Sequence, residues 1–181
     1  MFYDSLVENP IDCRFEGQDE DEEILLLVRA HPITNLGWIF GAVVVFSLPF
    51  LVPAVVVLFG FNLSTVPDKY LLALFLIDYL LALVVIFEGL LGWYFNVSIL
   101  TNKRILDVDF HSALAKDVDI ALLQDVQEAK ASMGGIWGLI FNYGDVFIQT
   151  AAAKVEVDCK NVPQPNKIAD QIMDAAERVR L

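Results

Sequence analysis

The chain has 181 residues, a mean hydropathy of +0.56 and a formal net charge of −12. This acidity argues against a nucleic-acid-binding protein, which needs a basic surface to contact phosphates. It also leaves no room for the polybasic cluster that holds other membrane proteins to anionic lipids. The acidic excess lies mainly in residues 1–34, where nine Asp and Glu stand against two Lys and Arg.

Residues 1–21 form an acidic arm that contains Asn9-Pro10, Gly17 and the first part of the acidic run Asp19–Glu23. A segment this polar and charged buries little apolar surface, so we expect a flexible arm without secondary structure. Two interpretations remain open for it. It is either a solvated tail or a docking segment for a basic partner.

Residues 22–34 form a juxtamembrane segment. Its apolar run, Glu22–His31, ends at Pro32 and is too short for periodicity to separate a strand from a helical turn. We prefer a strand that pairs with the domain encoded downstream.

Residues 35–94 are predicted to form a hairpin of two transmembrane helices, at about 36–61 and 70–94. No charged residue occurs between Pro32 and Pro67, and each apolar run exceeds the roughly 20 residues that cross a bilayer. Pro49 and Pro53 each remove a backbone donor, so we expect the first helix to be kinked or locally opened.

The charges that flank the hairpin predict its orientation. Arg29 precedes the first helix, and Lys103 and Arg104 follow the second. This bias places both termini in the cytoplasm and makes the protein a multi-pass protein of the plasma membrane. Trp38 and Trp93 then lie near one interface, because they stand at the start of the first helix and the end of the second.

Two acids interrupt the second apolar run, Asp78 and Glu88. They are roughly 15 Å apart along a helix, so they do not form a close pair. Acids within a membrane are costly, and their default interpretation is functional. The alternatives are that they help helices associate, that Asp78 is protonated or bonds to Ser47 or Tyr79, and that Glu88 reaches water.

After residue 95 the pattern changes to alternating strands. Leu106, Val108 and Phe110 are predicted to point inward, as are Val118 and Ile120 on the next strand. The intervening acids then point outward, and a symmetric register sets like charges opposite each other, which destabilises a sheet. We considered a shifted register, a solvated face, and a site for a divalent cation or a basic partner. The four acids are Asp107, Asp109, Asp117 and Asp119.

Gly134 and Gly135 break the strand pattern and introduce the apolar stretch Ile136–Phe141. We expect this stretch to be core or a plug over one end of a barrel. The alternative is that it dips into the inner leaflet of the membrane. The chain then ends in an amphipathic helix capped by Asn166, whose apolar stripe is expected to lie against the sheet.

Four short motifs follow the hairpin in order. They are Thr101-Asn102-Lys103-Arg104, Gln124-Asp125-Val126, Tyr143-Gly144-Asp145-Val146 with Gln149-Thr150, and Val162-Pro163. In this order and spacing, the stretch from Arg29 onward resembles the bacterial pleckstrin-homology-like (PH-like) membrane proteins of the YdbS type. The resemblance implies a cytoplasmic domain over residues 95–181, with a bent seven-stranded antiparallel sheet or barrel capped by a C-terminal helix. It implies no reaction, because a fold does not specify a function.

In the better-known eukaryotic PH domains, basic residues around the first hairpin bind phosphoinositide headgroups. Here that position offers only Lys103 and Arg104, and an acidic strand follows. Because these two residues come soon after the second helix, we assign them to contact with the membrane surface or lipid headgroups. Trp38 and Trp93 are assigned to the same contact.

The sequence contains no nucleophile beside a base, no phosphate-binding loop and no zinc-hydrolase motif. Its two cysteines show no metal-binding spacing. We therefore expect a non-catalytic module without metal or cofactor, which binds membrane lipids and another membrane or cytoplasmic protein, or forms a homo-oligomer. The first alternative is an oligomeric protein that moves cations past Asp78 or Glu88. The second is an enzyme with a metal held by Asp107, Asp109 and His111.

Overall fold

The computed structural model of the protein describes residues 5–10, 13–60, 62, 66–112, 115–151 and 156–180. The chain divides into two compact units. One consists of Met1–Thr34 with Gly92–Leu181, and we call it the sheet unit. The other, Asn35–Leu91, is the helical hairpin.

Two long apolar helices account for the hairpin, α1 at Asn35–Leu58 and α2 at Asp68–Phe95. Both are long and apolar enough to cross a membrane, which indicates that the protein associates with one. Only Ala42 and Ala82 are buried in them. Small residues let two helices approach, and a Cβ placed on Gly89 would overlap the indole of Trp38.

Five antiparallel strands form the larger sheet of the sheet unit, in the order β1-β2-β3-β4-β5. The segment whose periodicity was ambiguous is strand β2, and it pairs with β3 on the other side of the hairpin in sequence. The strands are β1 Leu6–Glu8, β2 Ile24–Arg29, β3 Val97–Thr101, β4 Arg104–Ser112 and β5 Ala115–Leu122.

The smaller sheet has three antiparallel strands in the order β6-β7-β8, and the helix α4 follows it. A short helix, α3, connects β6 to β7. The elements are β6 Val126–Ser132, α3 Gly135–Phe141, β7 Tyr143–Thr150, β8 Glu156–Pro163 and α4 Pro165–Arg180. Short 3-10 turns lie at Pro32–Thr34 and Leu123–Asp125.

The core lies where α4 packs with side chains of both sheets. α4 is strongly amphipathic, and its predicted apolar stripe is buried at Ile168, Ile172 and Ala176, which are at 2% exposure or less. The prediction that the stripe extends to Val179 is wrong, because Val179 is 44% exposed. Each of the two buried isoleucines contributes about 1.5 to 3 kcal/mol. From the sheets the core takes Leu26, Val28, Leu100, Ile105, Ala121, Leu123, Val126, Val146, Ile148, Val157, Cys159 and Val162.

The expected closed barrel is wrong. The described strands form two separate sheets of five and three, because the turn Leu123–Asp125 ends one sheet before β6 begins the other. The expectation of an arm without secondary structure is also wrong for residues 6–8, which add β1 to the edge of β2. A segment this polar has too little apolar surface to fold alone. Its backbone N–H and C=O groups find hydrogen-bond partners when it pairs with the edge of β2.

Two inward-facing assignments are wrong as well. Val118 and Ile120 are exposed, whereas Ile105, Asp107 and Ala121 on the opposite face are buried. The side chains of α3, expected in the core, are exposed apart from Gly138. Alternation defines two faces of a strand but does not say which face meets the core.

Candidate functional site

The turn between β3 and β4 presents the two basic residues that the sequence assigned to the membrane surface. Thr101 organises this turn, because its hydroxyl accepts the backbone N–H of Lys103 (3.2 Å) and of Arg104 (3.0 Å). We call residues 101–104 the basic turn. It lies at the C-terminal end of β3, an extended strand of five residues.

Glu22 closes the basic turn from the N-terminal side. Its carboxylate is fully buried and accepts hydrogen bonds from Arg104 Nε at 2.9 Å and from Arg104 Nη2 at 2.8 Å. These bidentate hydrogen bonds from the Arg104 guanidinium lower the pKa of Glu22 to about 2. Arg104 also donates to the Gly17 carbonyl at 2.7 Å and lies over the Phe15 ring.

Lys103 is held by the acidic run at the end of the arm. Its Nζ lies 3.1 Å from a carboxylate oxygen of Asp19 and 3.1 Å from one of Asp21. Hydrogen bonds to these acids raise the pKa of Lys103. The charges of both basic residues are thus paired within the chain.

The four acids of β4 and β5 adopt the symmetric register. Asp107 lies opposite Asp119, and Asp109 lies opposite Asp117. The shifted register considered above is therefore wrong. Two interactions relieve the repulsion between these pairs. Lys160 Nζ lies 2.7 Å from Asp109 Oδ2, and the buried Asp107 accepts a hydrogen bond from the Ser98 hydroxyl.

Asp107 is the one buried acid of the four. Burial, with a smaller contribution from the charge of Asp109, raises its pKa to about 6. A cavity of about 110 Å³ lies beside it, with a lining that is partly apolar and partly polar. The polar lining consists of Asn96, Ser98, Asp107, Asp109, Lys160 and Asn161.

Sequence reasoning missed the β8 side of this site. Lys160 and Cys159 come from a strand 50 residues downstream of β4, and no local pattern connects them to the acids. Burial raises the pKa of the Cys159 thiol to about 12, which keeps it protonated and a poor nucleophile. Among the residues that the structure describes, no three His, Cys, Asp or Glu side chains converge on a position for a metal ion.

The helical hairpin holds the other acids. Asp78 lines a cavity of about 460 Å³ that is otherwise apolar and includes Pro49 and Pro53. Its Oδ2 is buried and has no hydrogen-bond partner among the described residues. Of the alternatives considered for Asp78, a hydrogen bond donated by Ser47 is not made, because the Ser47 hydroxyl donates to the Val44 carbonyl of its own helix. Glu88 is exposed on α2, and the structure does not bring it near Asp78.

The two tryptophans assigned to the interface each satisfy their indole N–H within their own unit. Trp38 Nε1 donates to Asn35 Oδ1 at 2.9 Å in the first turn of α1. Trp93 Nε1 donates to the Ala30 carbonyl at 3.0 Å, which joins the end of α2 to the residue just after β2. Both rings are half-buried.

Comparison of the chain with protein-family models, with curated proteins and with solved structures finds no match. The resemblance to PH-like membrane proteins therefore stays a prediction from the sequence.

Proposed function

We propose that this protein is a non-catalytic, multi-pass protein of the plasma membrane that presents a PH-like domain at the cytoplasmic face to bind a basic protein segment. The observation that carries the proposal is the pairing of β2 with β3. These strands flank the hairpin in sequence, so two covalent connections attach one folded sheet unit to two membrane-spanning helices. Such a double connection fixes a binding surface at the membrane.

The order of the elements supports a PH-like domain. Apart from the added β1, four strands precede the turn Leu123–Asp125, three follow it, and α4 closes the core against both sheets. The basic residues that flank the hairpin support a cytoplasmic position for both termini.

The charges favour a basic protein over an anionic lipid as partner. Lys103 is already paired with Asp19 and Asp21, and Arg104 with Glu22, so the basic turn offers little charge to a headgroup. Asp117 and Asp119 are exposed on β5 and give this strand a negative charge. Complementary charges steer association and specify partners.

Strand β5 also has the form of a docking edge. It is the last strand of its sheet, and Val118 and Ile120 alternate with the two acids at 44% and 46% exposure. An extended segment that adds to such an edge gains backbone hydrogen bonds, and alternate side chains give specificity. The matching segment alternates Lys or Arg with apolar residues.

The test uses the full chain in nanodiscs of neutral lipid and a peptide of alternating Lys and Val, with a Glu-Val peptide for comparison. We expect salt-sensitive binding of the Lys-Val peptide only. The double substitution Asp117→Asn and Asp119→Asn should weaken this binding roughly fivefold, because exposed charge pairs contribute modestly.

The matched control is the double substitution Asp170→Asn and Asp174→Asn, which makes the same change in net charge on exposed positions of α4. If both pairs weaken binding equally, only net charge matters and the β5 site is wrong. If the protein binds anionic vesicles and ignores the peptide, the partner is a lipid.

A second candidate function is cation transport by an oligomer. The unpartnered Asp78 Oδ2 at the large apolar cavity favours it, since an unpaired acid in a membrane is otherwise costly. Native mass spectrometry of the nanodisc-held particle separates the two functions, because a monomer cannot enclose a pore with two helices. Asp78→Asn should abolish cation flux if the protein transports, and should leave peptide binding unchanged if it is a binding module.

A further inference from the structure

The helix α3 presents a contiguous group of large, exposed apolar side chains. No charged residue occurs from Ala131 to Gly144, so no charge on this segment accounts for that exposure to water. Isolated apolar residues on a surface are common, but a contiguous group of this size marks a contact. The exposed fractions are 73% for Ile136, 65% for Trp137, 68% for Leu139, 64% for Ile140 and 39% for Phe141.

The backbone holds α3 in this outward position. Gly138 is its one buried residue, and a Cβ there would lie 2.9 Å from the carbonyl oxygen of Tyr143. The helix therefore approaches β7 through a glycine and has no room to turn a large side chain inward at that position. Asn142 ends the helix in the left-handed conformation, which directs the chain straight into β7.

The position of α3 in the sheet unit relates it to the membrane. Tyr143 directly follows the helix end, and its ring stacks on His31 with the centroids 5.6 Å apart. The His31 N–H donates to the Asn161 carbonyl at 2.7 Å, which fixes this segment to β8. Three residues later, at Thr34, the chain leaves the sheet unit for the first apolar helix. Helix α3 thus ends beside the point at which the chain enters the hairpin.

We propose that α3 lies in the interfacial layer of the bilayer, where it forms a third, non-spanning membrane contact. The inference rests on the proposed function, because it takes α1 and α2 to span that bilayer. A tryptophan among aliphatic residues suits the headgroup boundary. The contact is apolar and uncharged, so it does not depend on anionic lipid.

The experiment is fluorine NMR of the full chain in nanodiscs, with 5-fluorotryptophan at all three tryptophans. Trp137→Phe, Trp38→Phe and Trp93→Phe assign the three signals. A lipid with a nitroxide near the top of its acyl chain broadens signals within the membrane, and a gadolinium chelate broadens those in water. We expect the Trp137 signal to be broadened by the lipid label and spared by the chelate.

The matched control is Val179→Trp, which adds a reporter at an exposed position near the end of α4. Its neighbour Arg180 donates a hydrogen bond to the Val126 carbonyl. Leu123, three residues before Val126, donates its backbone N–H to the carbonyl of Lys103 in the basic turn. Position 179 therefore lies toward the basic-turn end of the sheet unit. Its signal should respond to the chelate and ignore the lipid label.

A charge on α3 supplies a second measurement. Ile140→Asp changes an exposed side chain, so the fold is retained, but it disfavours insertion. The Trp137 signal should then become as sensitive to the chelate as that of position 179. Val179→Asp makes the same change at the other end and should leave the Trp137 signal unaltered.

Three results would overturn the proposal. If the chelate broadens the Trp137 signal as much as the signal of position 179, α3 lies in water. If neither the chelate nor the lipid label broadens the Trp137 signal, α3 lies against a second copy or another protein. If Trp38 and Trp93 respond to the lipid label while Trp137 does not, α3 is not a membrane contact but the spans stand. If none of the three responds, the spanning hairpin of the proposed function is wrong as well.

Discussion

At the scale of single residues, Glu22 and Arg104 decide where the N-terminal arm lies. Glu22 is buried, and a buried carboxylate is tolerated only when charged donors satisfy both of its oxygens. Because its pKa in the folded chain is lowered from 4.5 to about 2, the pair stabilises the fold fully above pH 4.5. This stabilisation is lost as the pH falls toward 2.

Glu22→Gln should destabilise the sheet unit by about 3 kcal/mol, because it leaves the Arg104 charge partly buried without its partner. Glu23→Gln is the matched control, since Glu23 is exposed and makes no ion pair among the described residues. Hydrogen exchange of the β3 and β4 amides at pH 7 measures the stability of the two variants. Equal exchange rates in the two variants would show that the pair contributes nothing.

Asp107 acts on stability in the opposite direction. Its pKa is raised from 3.8 to about 6, so the folded chain binds a proton in this interval that the unfolded chain has released. Stability therefore falls as the pH rises from about 4 through 6, by about 2 to 3 kcal/mol.

Asp107→Asn keeps an oxygen that accepts the Ser98 hydroxyl but removes the charge. We expect it to match the parent protein near pH 4 and to exceed it by about 2 to 3 kcal/mol at pH 7. Thermal unfolding of the nanodisc-held protein between pH 4 and 8 measures the difference. Asp170→Asn, on the exposed face of α4, should follow the parent at every pH. A constant offset between Asp107→Asn and the parent would contradict a titrating Asp107.

At the scale of elements, glycines set the distance between β6, α3 and β7. A Cβ on Gly144 would overlap the Ser132 carbonyl oxygen and lie 3.0 Å from Met133 Cα, and both obstacles belong to the backbone. The close approach of β6 to β7 at this corner therefore depends on a residue without a side chain. That corner also supports α3.

Gly144→Ala should destabilise this corner by about 1 to 3 kcal/mol, since overpacking against backbone is not easily relaxed. Gly134→Ala is the control, because its Cβ meets nothing within 4 Å and its φ is −84°. The control should change stability by no more than about 0.5 kcal/mol. Exchange of the β6 and β7 amides reports both, and equal effects would show that the close approach is not limiting.

In strands β4 and β5 the alternating pattern predicts the two faces but not which face is buried. Alternation correctly separated Leu106, Val108 and Phe110 from the acids, but it assigned the wrong face to the core. Both faces of the sheet carry apolar side chains, and a second, smaller cluster of Ile24, Ile99 and Leu106 lies on the outer face. When both faces are partly apolar, only the position of α4 decides which one is interior.

At the scale of the whole molecule, the sheet unit is assembled from segments on both sides of the hairpin. Leu26 and Val28 of β2 are 2% and 3% exposed, and they pack in the same core as Ile105 and α4. A chain that began after the hairpin would lack these core side chains and would expose the edge of β3.

The sheet unit should therefore fold without the hairpin when Thr34 is joined to Gly92 by a short Gly/Ser linker. Trp93 bonds the Ala30 carbonyl, so the two ends are already close. The fragment 92–181 alone should stay unfolded, because each missing core side chain removes about 2 to 3 kcal/mol. Amide dispersion in NMR spectra with mild detergent distinguishes the two. A folded 92–181 fragment would show that β2 is dispensable.

The sequence by itself determined the two apolar helices, the terminal amphipathic helix and the acids of β4 and β5, because composition and periodicity are local properties. Only the tertiary structure decided that the arm pairs with the basic turn, that Lys160 meets Asp109, that β2 joins β3 and that α3 faces outward. Each of these depends on contacts between residues far apart in the chain. Burial, and with it the pKa values of Glu22 and Asp107, exists only once those contacts form.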